Sequence, residues 1–253
     1  MLIDVIILAG GTVDDELLRA DGGVTCKSLI PLGGRVLLEY VLHALRTSRH
    51  VGRIVVVGPE MLASHPVAAG ADMLLIEGST RAENLYRGID ALPDAQRLLM
   101  VTSDTPLLTG AMIDELVTAA PDCDICYPIV AHETALTAFD KRKWVFVPLR
   151  DGTFTGSSMV LFKPAAFRQV RPLIEQVFGA HRDHWRAARL FGLGFLLRCR
   201  LGWITLPAIE AHISRQLNLD CRSYPARHAE MAFDIDHPSD LSLARSLFEQ
   251  RLV

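Results

Sequence analysis

Short runs of β-branched and aliphatic residues alternate with helical periodicities through the first 108 residues, the pattern of a mostly parallel sheet covered by helices. Val5–Leu8, Arg53–Val57, Asp72–Ile76 and Arg97–Thr102 read as strands. Between the first two, Leu37, Leu38, Val41, Leu42 and Leu45 recur at helical spacing and predict the buried face of a helix opened by Gly33-Gly34. Thr80-Arg81-Ala82-Glu83 spells a capping box ahead of Leu85 and Ile89, and Thr109 is placed to cap a helix running through Ala119. From Asp124 to about Ala226 the regularity is lost. Strands are expected at Ile125–Val130, Trp144–Leu149 and Ser157–Phe162, and helices near Ala165–Phe178, His184–Leu197 and Pro207–Leu217. A last strand, Phe233–Asp236, is expected to run into a helix with Pro238 in its first turn and Leu241, Ala244 and Leu247 on one face. No repeat or linker interrupts this order. The expectation is one α/β domain over 1–253, a twisted mixed sheet with stretches 1–123, 124–226 and 227–253.

Composition narrows the class. Half of the 253 residues are apolar and 22% are charged, which excludes disorder and fibrous repeats. With 26 Lys+Arg against 29 Asp+Glu the net charge is −3, too balanced to draw in a nucleic-acid backbone, so an anionic ligand has to be held by local groups. The odd count of five cysteines and the absence of a basic segment ahead of the Val5–Ala9 run point to a reducing, cytoplasmic setting. The apolar run Leu190–Leu197 is far shorter than the roughly 20 residues of a membrane span. Cys123-Asp-Ile-Cys126 has the spacing of a zinc half-site without a second half, and core thiols are the better reading.

The sharpest chemistry lies in Leu8-Ala9-Gly10-Gly11, directly after the first strand, with Lys27 downstream. Side-chain-free positions at a strand end let backbone N–H groups approach a phosphate, and the lysine adds a mobile point charge. The spelling of neither the dinucleotide fingerprint nor the Walker loop is present. Asp104 ends the strand MVTSD, where ligands of open α/β sheets bind and where a carboxylate suits a hard cation. Asp234 and Asp236 are expected on opposite faces of the final strand, with Asp234 turned toward the cation and Asp236 capping the Pro238 helix. The helix entered by Gly78, Arg81 and Asn84 offers N–H groups to a phosphate or a base edge. Lys141-Arg142-Lys143 reads as a solvated loop. His181 and His184 lack a third metal ligand, and Arg186, Arg189, Arg198 and Arg200 read as the charged ends of a buried helix around LFGLGFLL.

LAGG with Lys27 and the following PLGG, SDTPLL at Ser103–Leu108 and FDIDHPSDL at Phe233–Leu241 together resemble the nucleotidyltransferases of glycosyltransferase-A-like, Rossmann-like fold, which include molybdenum cofactor guanylyltransferase and methylerythritol-phosphate cytidylyltransferase. The resemblance implies a nucleoside triphosphate bound by Leu8, Ala9, Gly10, Gly11, Lys27, Gly78, Arg81, Asn84 and Ser103. It further implies Lys27 and Asp104 as catalytic residues, and Mg2+ held by Asp104 with Asp234 or Asp236. Thr155-Gly156-Ser157-Ser158 is similar to the family's glycine turn, with Gly156 and Ser157 on the acceptor side. One departure is the acidic Thr12–Glu16 stretch, which delays the loop arginine to Arg19. The expected reaction moves a nucleoside monophosphate from CTP or GTP to a phosphorylated small molecule, with a homodimer open. The competing readings are a nucleotide-sugar glycosyltransferase, which would want a D-x-D pair where this chain has SDTP, and a non-catalytic nucleotide-binding protein.

Overall fold

A computed structural model describes residues 2–10, 17, 24–180 and 192–251. The strands are β1 Ile3–Leu8, β2 Pro31–Leu32, β3 Arg35–Val36, β4 Val51–Gly58, β5 Met73–Ile76, β6 Leu98–Thr102, β7 Ile125–Ala131, β8 Val147–Leu149, β9 Gly152–Gly156, β10 Met159–Phe162 and β11 Cys221–Ala226. The α-helices are α1 Leu37–Thr47, α2 Arg81–Asp90, α3 Gly110–Ala119, α4 His132–Ala138, α5 Pro164–Gln169, α6 Arg171–Ala180, α7 Leu193–Arg200, α8 Leu206–Leu217 and α9 Pro238–Arg251. A nine-stranded sheet runs β5-β4-β1-β6-β10-β7-β9-β8, with β11 on the other side of β7. The β1, β4, β5 and β6 pairings and the β7–β11 pairing are parallel, whereas β10, β9 and β8 join antiparallel. Among the described residues, the middle of the chain therefore widens the one sheet.

Period-two alternation explains why helices cover both faces. In β1, Ile3, Val5 and Ile7 join one cluster with residues of α1, α3 and α9, while Ile6 and Leu8 join the other with residues of α2, α5 and α6. Ile54 and Val56 against Val55 and Val57 repeat the division in β4. Each such fully buried aliphatic side chain contributes about 1.5–3 kcal/mol.

The caps Thr80 and Thr109 accept from the N–H groups of Glu83 and Met112. Several expectations need correction. Gly33-Gly34 does not open α1. With φ of +54° and +84° the pair is the two-residue loop between β2 and β3, the conformation such hairpins demand of glycine. The helix begins at Leu37, and Glu39 reaches back to the Val36 N–H at 2.8 Å. The strand expected from Trp144 is confined to Val147–Leu149, and β9, β11 and α4 arise where no element was expected. No strand forms at Phe233–Asp236. Phe233 and Ile235 are buried while Asp234 and Asp236 are not, so the alternation is real, but no ladder partner lies alongside. The helix expected over His184–Leu197 lies largely outside the described residues, as do His181, His184, Arg186 and Arg189. What is described, α7, leaves Leu197 exposed and is not a buried helix.

Candidate active site

Parallel pairing sets the ends of β1 and β6 side by side, so that Ala9-Gly10 and Ser103-Asp104 leave the sheet together. The Ser103 N–H donates to the Leu8 carbonyl at 3.2 Å and the Ala9 N–H to Val57 at 2.8 Å. Lys27–Leu29 forms a single 3-10 turn beneath them. Its Ser28 is fully buried, donates to the Ala9 carbonyl at 2.7 Å and shares a 2.7 Å hydrogen bond with the Ser103 hydroxyl. One hydroxyl thus braces three loops. The brace leaves Lys27 aimed at the strand ends, where its ammonium donates to Asp104 and, at 2.8 Å, to Asp236. Thr102 donates to the other Asp104 oxygen at 2.5 Å.

The segment carrying Asp234 and Asp236 makes one backbone bond to the strand-end loops, from the Ile235 N–H to the Asp104 carbonyl at 3.0 Å. Side chains hold the rest. Arg142 donates to the carbonyls of Ala232 (2.6 Å) and Asp234 (2.8 Å), to the Asp234 carboxylate (2.5 Å) and to Asp240 (3.3 Å). Ser158 donates to the second Asp234 oxygen at 2.6 Å. The expectation that Asp234 and Asp236 face opposite ways is overturned: residues two apart in extended chain share a face, here the one opposite Phe233 and Ile235. The expected helix-capping role of Asp236 is overturned as well. Asp240, at 3% exposure, accepts from the N–H groups of Asp236 and His237 at 3.2 and 2.9 Å.

These groups perturb one another in a consistent direction. Burial pulls the Lys27 value down, but Asp104 and Asp236 outweigh it and hold the ammonium above the ordinary lysine range. Burial raises Asp236, but Lys27, with Arg142 and His237, together outweigh it, so its carboxylate lies below the usual value. Burial, then Asp104 and Asp236, push Asp234 up against the opposing pull of Ser158 and Arg142. Asp234 therefore senses both of the carboxylates that share Lys27.

The remaining expected residues divide. A Cβ at Gly10 would lie 1.7 Å from Glu77 Oε2, so the Glu77 carboxylate would have to move aside. Gly11 lies outside the described residues. Gly78 donates its N–H to the buried Asn84 carbonyl oxygen at 2.6 Å, so Asn84 fastens this loop, and Arg81 is exposed at the first turn of α2. Leu8 and Ala9 bury their side chains and bring only backbone to this place. Ser157 directs its hydroxyl to the Met159 carbonyl. Gly156 is required by packing, since a Cβ would fall 2.2 Å from the Tyr127 hydroxyl. Cys123, Cys126 and Cys221 are buried, and burial pushes the Cys126 thiol up to about 12, which leaves it inert at neutral pH. Among the described residues, no three His, Cys, Asp or Glu side chains form a group that could hold a metal ion unaided. None of their helices is long and apolar enough to cross a membrane. Sequence reasoning missed Ser28, Thr102, Ser158 and above all Arg142, which was read as a solvated loop residue and is almost wholly buried.

Residues 5–189 match the MobA-like NTP transferase domain. The chain is 30% identical over 191 residues to the bifunctional enzyme IspD/IspF of Rhizorhabdus wittichii, a match covering 74% of this chain and 45% of that protein. It is 34% identical over 105 residues to phosphoenolpyruvate guanylyltransferase of Sphaerobacter thermophilus, covering 40% of this chain and 51% of that one. It spans about half the length of these relatives. Among solved structures, a hypothetical transferase from Thermus thermophilus superposes with a TM-score of 0.86 at 31% identity, over 95% of this chain and all of that one. A 2-C-methyl-D-erythritol 4-phosphate cytidylyltransferase from the same organism, at 20% identity and a TM-score of 0.60 over 98% of this chain and all of that one, shares the fold.

Proposed function

The chain belongs to the MobA-like NTP transferase family, and from that premise we propose that it transfers a nucleoside monophosphate from CTP or GTP to a phosphorylated small-molecule acceptor. An oxygen of the acceptor phosphate bonds to the α-phosphorus, the bond to the β-phosphate oxygen breaks, and pyrophosphate leaves with the electron pair. The observation that carries this reading is the convergence of Asp104 and Asp236 on the Lys27 ammonium beside the Ala9-Gly10 strand end.

No protein nucleophile is needed for such a displacement, so the chain's work is positioning and charge. Lys27 sits where a triphosphate entering over Gly10 meets a cation that can turn from its carboxylates to the ligand. The donors suit magnesium: Asp104 and Asp236 already share one cation, the ammonium, and Asp234 stands beside them with both oxygens engaged. Magnesium is commonly held by one or two carboxylates with substrate phosphates completing the shell, the kind of set that Asp104 and Asp236 would offer. When bound, the ion would neutralise charge on the phosphates. Asn84 would hold the Gly78 turn open toward the base, with Arg81 at its rim.

The test is pyrophosphate release from CTP and GTP with magnesium, offered 2-C-methyl-D-erythritol 4-phosphate and phosphoenolpyruvate, the phosphorylated compounds in the names of its relatives. Release above the acceptor-free rate with one pair supports the reading. No release from any of the four common triphosphates with these or other phosphorylated acceptors would remove it.

A further inference from the structure

We propose that Arg142 is a positioning residue, whose guanidinium fixes residues 232–236 so that the Asp236 carboxylate meets Asp104 across a cation; the proposal rests on the transferase reading above. Three observations carry it. Residues 233–236 belong to no strand, so the repeating ladder that elsewhere fixes a backbone is missing there, and one bond from Ile235 to Asp104 takes its place. With Phe233 and Ile235 buried but no ladder beside them, the register of the segment depends on side-chain anchors.

The guanidinium supplies the register. Its planar fork matches the carbonyls of Ala232 and Asp234 and the carboxylates of Asp234 and Asp240, so one side chain ties the start and middle of the segment to the first turn of α9. Arg142 is itself immobilised. Its side chain is only 7% exposed and lies between aromatic rings, 4.3 Å from the Trp144 centroid and 4.8 Å from that of Phe233. Through Asp240, which also accepts from the Asp236 N–H, the same anchor reaches the residue that shares Lys27 with Asp104. Arg142 makes none of these contacts to Lys27 or Asp104 and acts through the segment.

The experiment measures triphosphate binding by calorimetry on the full chain as the magnesium concentration is varied, with melting curves and hydrogen exchange of the 232–236 amides alongside. Arg142→Lys keeps a charge and loses the fork. It should melt within a few degrees of wild type and bind triphosphate weakly without metal as wild type does. Exchange at 232–236 should accelerate tenfold or more, and the magnesium needed for half-maximal binding should rise about tenfold. Asp240→Asn, which weakens one anchor, should shift the same two quantities by about threefold. A magnesium midpoint within twofold of wild type in Arg142→Lys overturns the positioning role while leaving the transferase reading intact. Global unfolding of Arg142→Lys overturns it too, by making Arg142 a residue of the whole fold. Wild-type binding that ignores magnesium removes both readings together.

Discussion

Asp104 and Asp236 reach the same ammonium by different means. Asp104 leaves the end of β6, a strand paired on both sides, and inherits its place from backbone ladders that any side chain at 104 would share. Asp236 lies on a segment without a ladder, placed by Arg142, Asp240 and a single backbone bond. Ladder-held groups can be replaced with little loss of fold. Side-chain-held groups couple site and fold, so chemistry and stability should separate at Asp104 and merge around residue 234.

The largest effect that sharpens this contrast is expected from Asp104→Asn. Losing one charged group facing the reacting phosphates should lower magnesium-dependent turnover on the order of 10²–10³-fold, while the melting temperature moves little. Turnover within a few-fold of wild type would show that the ladder-held carboxylate is not the working one.

Lys27→Met comes next, with triphosphate affinity falling about tenfold, or about 1.4 kcal/mol. Its pH behaviour is the more telling readout. In wild type the raised Lys27 value contributes stability that is complete below the unfolded value of 10.5 and lost as pH climbs through the folded one. Without the ammonium, Asp104 and Asp236 bear more heavily on the already raised Asp234, and its protonation relieves the repulsion. The variant should therefore melt at a higher temperature at pH 5.5 than at pH 7.5. A flat melting temperature across that range would mean the carboxylates do not sense each other.

The Asp234 and Asp236 variants should part company. Asp236→Asn is expected to lower turnover about tenfold with little change in melting, since Asp240 and not Asp236 serves α9. Asp234→Asn should mainly destabilise, by about 1–3 kcal/mol, because it leaves Arg142 with one charged partner fewer. Equal kinetic and melting effects in both would erase the distinction. Ser158→Ala, the smallest change, removes one hydrogen bond to Asp234 and should cost about 1 kcal/mol on chemical denaturation, with turnover within threefold.

The parallel core was legible because both its faces are covered, so β1, β4 and β6 read as continuous apolar runs between helical periods. β11 was not, since Cys221–Ala226 mixes Arg222 and Ser223 with Pro225, a composition tolerated at an edge strand but unlike a central one. Phe233–Asp236 shows that period-two alternation reports a two-sided environment and says nothing of a ladder partner. Lys27 and Asp104 were found through motifs at strand ends. Arg142 was invisible between two lysines, because the carbonyls and carboxylates that pair it lie 90 to 98 positions downstream. Ser28 was hidden for the same reason, its partners Ala9 and Ser103 being 19 and 75 positions away.

The contact between Lys27 and Asp236 spans 209 positions of sequence and predicts an order of events in folding. Closing a loop of that size in unconstrained chain costs about 1 kcal/mol more than closing the 77 positions between Lys27 and Asp104, a difference that a sheet formed first between the two ends removes. Lys27 and Asp104 should thus meet while residues 229–251 still search for their place, leaving an intermediate with a lysine–carboxylate pair and no second acid. Pulse-labelling during refolding should find the β1, β4 and β6 amides protected before that of Ile235, and protection of Ile235 at the same rate or sooner would refute the sequence of events. Competence for metal-dependent binding would then be the last property the chain acquires, a kinetic check that keeps partly folded molecules from engaging nucleotide productively.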